Sequence, residues 1–158
     1  MARDEKALSD VVERAASILT AAGFPKMPAR VLMALTVTET GGLTAGELSE
    51  QLGVSAAAIS GAVRYLQTVG IARRVSQSGS RRDLWELPED AWYEALTSKN
   101  DIYEVLAAQA DAGAAAIDDP ASVARARLVE MAEFYRFVGS KLPELLEQWE
   151  QVRDGQAG

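Results

Sequence analysis

Five guanidinium groups set the first chemical constraint. Arg64, Arg73, Arg74, Arg81 and Arg82 fall within residues 51–82, a stretch of 32 residues without one Asp or Glu. On either side the balance is acidic: residues 1–50 carry 5 basic and 7 acidic side chains, and residues 83–158 carry 6 and 16. Guanidiniums without local carboxylates suit phosphate neutralisation, and arginine can also read a guanine edge bidentately. The chain as a whole has a net charge of −7 and a pI near 4.7, so charge argues for nucleic acid only through this segregation. A solvated basic face is the plain alternative.

Other chemistry is excluded more firmly. The chain contains no cysteine, which rules out disulfides, thiol redox sensing and iron–sulfur clusters. It contains no histidine either, so a His-based triad is excluded and a transition-metal site would need carboxylates alone. The carboxylates lie among alanines on helical patterns, without a glycine-rich phosphate loop, and Asp118-Asp119 reads as a helix cap. No catalytic residue, metal ligand or cofactor is expected. The opening Met1-Ala2-Arg3-Asp4-Glu5-Lys6 leads into no long apolar run, which predicts no signal peptide, no membrane partner and a cytoplasmic protein.

These residues need positioning elements, and the 158-residue chain, 48% apolar and 25% charged, has the balance of one globular unit. Apolar spacing predicts a helix from about Asp4 to Ala22 and a second from Pro28 to Thr38, in which Val31, Leu32, Leu35 and Val37 are buried. Thr44-Ala45-Gly46-Glu47 has the form of a capping box, opening a short helix that Gly53 stops. Ser55 then caps a helix whose inward positions are Ile59, Ala62, Val63 and Leu66, a helix-turn-helix pattern. Strands at Ile71–Val75 and Leu84–Leu87 enclose a small polar tip carrying Arg81 and Arg82. A helix-turn-helix followed by a basic hairpin predicts a mainly α, winged-helix fold. Further helices are expected from Pro88 to about Ile117, with Ser98-Lys99-Asn100 a point of interruption, and from Asp118-Asp119-Pro120 onward. The last has an apolar seam at Ala124, Leu128, Met131, Tyr135, Val138, Leu142, Leu145, Trp149 and Val152. Pro143 should kink or restart it near Gly139-Ser140, and the tail from Asp154 should fray.

The segment Ala29–Leu87 resembles the winged-helix region of MarR-type bacterial transcriptional regulators, particularly the GbsR-like branch. The resemblance lies in Leu43-Thr44-Ala45-Gly46-Glu47-Leu48, Leu52-Gly53-Val54-Ser55, Ile59-Ser60, Arg64-Tyr65-Leu66, Gly70-Ile71 and Gly79-Ser80-Arg81-Arg82-Asp83. The closing Leu142-Pro143-Glu144-Leu145-Leu146-Glu147-Gln148-Trp149 is similar to that branch as well. It implies a homodimeric regulator on double-stranded operator DNA, with residues 1–26 a dimerisation helix, 27–88 the DNA-binding lobe and 89–158 a helical dimerisation arm. Expected DNA contacts are Ser55, Ala56, Ala57, Ser60, Gly61, Arg64 and Tyr65 on the recognition helix, with Arg73, Arg74, Arg81 and Arg82 on the wing. The alternation of Arg73 and Arg74 along a strand lets at most one face DNA, and Asp83 could instead pair with a tip arginine. Leu8, Val11, Val12, Val138, Leu142, Leu145 and Trp149 are expected at the dimer interface. Trp92, Tyr103, Phe134, Tyr135 and Phe137 are candidates for a pocket taking a small aromatic or quaternary ammonium effector, with core or interface packing as the alternative. The competing reading of the whole chain is a winged-helix protein–protein interaction module that never touches DNA.

Overall fold

A computed structural model describes residues 4–89, 91 and 100–156, with Asn100 and Asp101 described by backbone only. The chain divides into two compact units, residues 1–92 and 93–158. Among the described residues no helix is long and apolar enough to cross a membrane.

In the first unit, α1 (Glu5–Ala21) is capped by Asp4, whose carboxylate accepts the Ala7 amide at 2.9 Å. It packs on α2 (Lys26–Thr36) within this unit. The start of α2 lies two residues ahead of the expected position, since Pro28 occupies the third helical position, where no intrahelical amide bond is lost. Val12, expected at an interface between copies, is only 2% exposed and lies in the lobe's own core with Val31, Leu32, Leu35, Leu48, Ile59 and Leu66. The reason is its angular position: Val12 lies on the packed side of α1, while Val11 and Ile18 lie outward at 48% and 71% exposure.

Next come β1 (Leu43–Thr44), α3 (Ala45–Leu52) and α4 (Ala56–Thr68). The capping box forms as its sequence predicts: Thr44 Oγ1 accepts the Glu47 amide at 3.2 Å and Glu47 accepts the Thr44 amide at 2.7 Å. Gly53 makes the left-handed turn at φ +63°, and Ser55 Oγ caps α4 by accepting the Ala58 amide. The wing strands β2 (Arg73–Ser76) and β3 (Asp83–Glu86) are shifted from the expected spans. The amides of Ile71 and Ala72 both bond to the Leu66 carbonyl, closing α4 before the strand can begin. The sheet is antiparallel in the order β1-β3-β2, with Leu43 opposite Trp85. Sequence reading missed β1, which is only two residues long. Its approach depends on Gly42, where a Cβ would come within 2.6 Å of the Trp85 carbonyl oxygen.

The second unit is a helical hairpin, α5 (Asn100–Ala115) against α6 (Val123–Gln156). Alanines make the contact: Ala107 and Ala110 meet Ala132, flanked by Leu128, Met131 and Tyr135. Arg136 of α6 ties the pair together, with Nη2 at 2.6 Å from Asp111 and Nε at 3.5 Å from Glu104. Two expectations are corrected. Asp119 closes a turn by accepting the Ala121 amide, while Ser122 caps α6 through the Arg125 amide. Helix α6 also runs unbroken through Pro143 and on to Gln156, because one missing amide bond is a local loss in a helix of 34 residues.

Candidate nucleic-acid interface

Helix α4 turns Ile59, Ala62, Val63 and Leu66 into the core. That leaves Ser55, Ala56, Ala57, Ser60, Gly61 and Arg64 on the exposed side. Side chains this small leave the helix axis free to lie deep in a groove. A Cβ at Gly61 would meet nothing within 4 Å, so packing inside the protomer does not require glycine there. Tyr65 is more restrained: its ring stands edge-on to Phe24, with centroids 5.6 Å apart at 89°. The tyrosine remains 36% exposed.

The wing divides its four arginines into two kinds. Arg73 lies directly opposite Glu86, and its Nε donates to Glu86 Oε1 at 2.6 Å. Arg74 places Nη1 at 3.4 Å from Asp83 Oδ2. Asp83 therefore pairs with a strand arginine, not with one at the tip. Arg81 and Arg82 sit exposed on the connecting turn, where Gly79 has φ +82° and Ser80 Oγ accepts the Arg82 amide. Among the described residues Arg64, Arg81 and Arg82 form no salt bridge. Glu47 is the acidic group electrostatically coupled to Arg82. Its carboxyl is held below the usual carboxylate range first by the Thr44 amide, then by the Thr44 hydroxyl, with a smaller contribution from Arg82. A cavity of about 390 Å³ beside the wing is lined by Thr44, Ala45, Gly46, Arg82, Asp83 and Trp85.

The other expected sites are only partly assembled. Tyr135 lies between Tyr103 and Phe134, with ring centroids at 6.0 and 5.9 Å. Phe137 lies apart from them, in a groove with Val138, Lys141, Leu142 and Leu145. Trp92 falls outside the described residues. Leu145 and Trp149 are 56% and 47% exposed, and Val138, Leu142 and Leu8 are half-buried. No cluster of carboxylates among the described residues could hold a metal ion.

Three helices with a tight left-handed turn, followed by a two-stranded wing, define a winged helix-turn-helix protein. Residues 22–83 match the profile of the MarR family, and residues 90–153 match that of the MmpR5-like MarR family transcriptional regulators. Both segments are thus similar to MarR-family proteins, the second to transcriptional regulators of that family. The chain is 33% identical over 93 residues to the putative HTH-type transcriptional regulator YvaV of Bacillus subtilis (strain 168), a match covering 59% of this chain. The same match covers 52% of that protein, so the chain spans about half the length of this curated relative. A crystal structure of a transcriptional regulator superposes with a TM-score of 0.81 at 23% identity, over 91% of this chain and 98% of the other, and shares its fold. A structure of Staphylococcus aureus MepR with DNA aligns over 96% of this chain and 90% of that one, at 13% identity and a TM-score of 0.42.

Proposed function

We propose that the protein is a cytoplasmic, homodimeric repressor that binds a pseudo-palindromic DNA operator. The observation that carries this reading is the placement of three guanidiniums without salt bridges among the described residues. Arg64 lies on the small-faced helix α4, and Arg81 and Arg82 lie at the wing tip. Helix α4 enters the major groove with Ser55, Ala56, Ala57, Ser60 and Gly61 against base edges and Arg64 on a guanine, while Tyr65 contacts backbone. Arg81 and Arg82 neutralise phosphate or occupy a narrow minor groove. Arg73 and Arg74, already satisfied by Glu86 and Asp83, shape the wing and contribute little to DNA. Two copies must set their α4 helices about one helical turn apart, roughly 34 Å. Within the family, the GbsR-like motifs quoted above favour a small aromatic or quaternary ammonium effector, and the Tyr103–Tyr135–Phe134 ring cluster is the place to accept it.

The test is fluorescence anisotropy against DNA upstream of the protein's own gene and against random DNA, at several salt concentrations. Loss of one phosphate contact flattens the slope of log affinity against log salt by about 0.9, and a dimer doubles it. Arg81→Ala and Arg82→Ala should weaken both DNAs alike and flatten the slope by up to about 2. Arg64→Ala should chiefly weaken the operator, by about 1–3 kcal/mol per half-site. If none of the three substitutions alters binding while the dimer stays folded, the interaction-module reading replaces this one.

A further inference from the structure

We propose that Arg30 is a positioning residue for α4, linking helix α1 to the helix-turn-helix turn through a single guanidinium. Arg30 sits on α2 with its side chain only 17% exposed. Its Nε lies 2.9 Å from Glu13 Oε2 and its Nη2 lies 2.6 Å from Glu13 Oε1, a two-pronged grip on α1. The same Nη2 donates to the Leu52 carbonyl at 2.9 Å. Leu52 is the last residue of α3, directly before the left-handed Gly53. Its carbonyl is one of those that a helix end leaves without an internal partner, and a cation is electrostatically favoured there. On the other side of the turn, Ser49 Oγ donates to the Val54 carbonyl at 2.5 Å. The turn between α3 and α4 is therefore pinned at Leu52 from α2 and at Val54 from α3. Glu13 fixes the guanidinium that does the first pinning.

The consequence is a coupling between the tilt of α1 and the aim of α4. Neither Glu13 nor Arg30 lies on the exposed face of α4, yet both determine where Leu52 holds the turn that delivers Ser55 and the residues after it. Lysine cannot replace Arg30, because a point ammonium cannot keep the planar fork on Glu13 while bonding Leu52. This inference rests on the DNA-binding reading, and its test has an arm independent of DNA.

Glu13→Gln and Arg30→Lys are compared with the wild type in two measurements. The first is affinity for operator and random DNA at one salt concentration, with oligomeric state checked by sedimentation. Operator affinity should fall by about fivefold or more, while random DNA binding stays within about twofold. The second is amide hydrogen exchange, in which Gly53 and Val54 should exchange about tenfold faster while Val63 and Leu66 inside α4 are unchanged. A residue that only stabilises the lobe would weaken both DNAs alike and loosen all these amides together, and either result overturns the proposal. Unchanged exchange at Gly53 and Val54 in both variants overturns it as well. If Arg30→Lys does not fold, Glu13→Gln carries the same test, since it keeps the guanidinium. Should the wild type bind no DNA, the regulator reading fails, and hydrogen exchange alone decides whether Arg30 holds the turn.

Discussion

Gly61 separates stability from binding at the level of one residue. Glycine inside a helix costs about 0.5–1 kcal/mol relative to alanine, and a methyl group at Gly61 has open space on the protomer. Gly61→Ala should therefore raise the thermal midpoint while weakening operator binding, because the added methyl group occupies space the groove must fill. Unchanged or tighter operator binding would show that α4 does not lie in the groove at this point. The residues legible in the sequence were those whose partners are near in the chain. Thr44 with Glu47, and Ser55 with Ala58, follow from helix-end chemistry three residues apart. The pairs Arg73–Glu86 and Arg30–Glu13, 13 and 17 residues apart, were not legible. They depend on strand register and on helix packing, which local patterns do not encode.

At the scale of elements, the capping box makes the start of α3 sensitive to acid. The Glu47 carboxyl titrates below its usual range because the charged form accepts the Thr44 amide and hydroxyl, with a smaller favourable contribution from Arg82. A depressed folded pKa means that stabilisation is fully present above the unfolded value of about 4.3 and is lost as pH falls through the folded value. Unfolding in denaturant at pH 7 and at acidic pH should show that Glu47→Gln has a smaller effect at the acidic end, with the two proteins converging there. A constant difference would mean the charge is irrelevant to the cap. Pro143 allows the opposite kind of test. Proline inside a helix costs about 3 kcal/mol relative to alanine, so Pro143→Ala should stabilise α6 measurably in thermal denaturation. A loss of stability would mean that the proline has a favourable partner. Among the described residues helix existence was read correctly from periodicity, while residues 92–99 of the helix expected from Pro88 lie outside them, and the boundaries slipped wherever a proline or a shared carbonyl decided them. Pro28 and Pro143 both lie inside helices that the sequence reading began at one and broke near the other, and the Leu66 carbonyl claims two residues that were read as strand.

For the whole molecule, α1 and α6 turn several large apolar side chains to solvent. Val11 and Ile18 lie outward on α1, and Phe134, Phe137, Leu145, Trp149 and Val152 lie outward on α6. Burying one leucine is worth about 1.5–3 kcal/mol, and two-fold symmetry counts each contact twice. Sedimentation of the wild type at micromolar concentration should give a dimer, and Leu145→Glu should give monomers or aggregates. A monomeric wild type would remove the assembly on which the proposed operator binding depends. The sequence showed the apolar seam of α6, but it could not divide that seam between partners within the chain and partners outside it. Leu128, Met131 and Tyr135 are used by α5, whereas Leu145, Trp149 and Val152 are left over.

The length of α6 has a mechanical consequence. Tyr103 of α5 lies against Gly139 of α6, and α6 continues from there to Gln156. At 1.5 Å per residue, α6 extends about 36 Å from Ala132 to Gln156. It acts as a lever pivoting on an alanine fulcrum: a tilt of about 5° at the Ala110–Ala132 contact moves Gln156 by about 3 Å. Whatever grips the far end of α6 therefore senses, amplified, any ligand or substitution that opens the hairpin by the width of a methyl group.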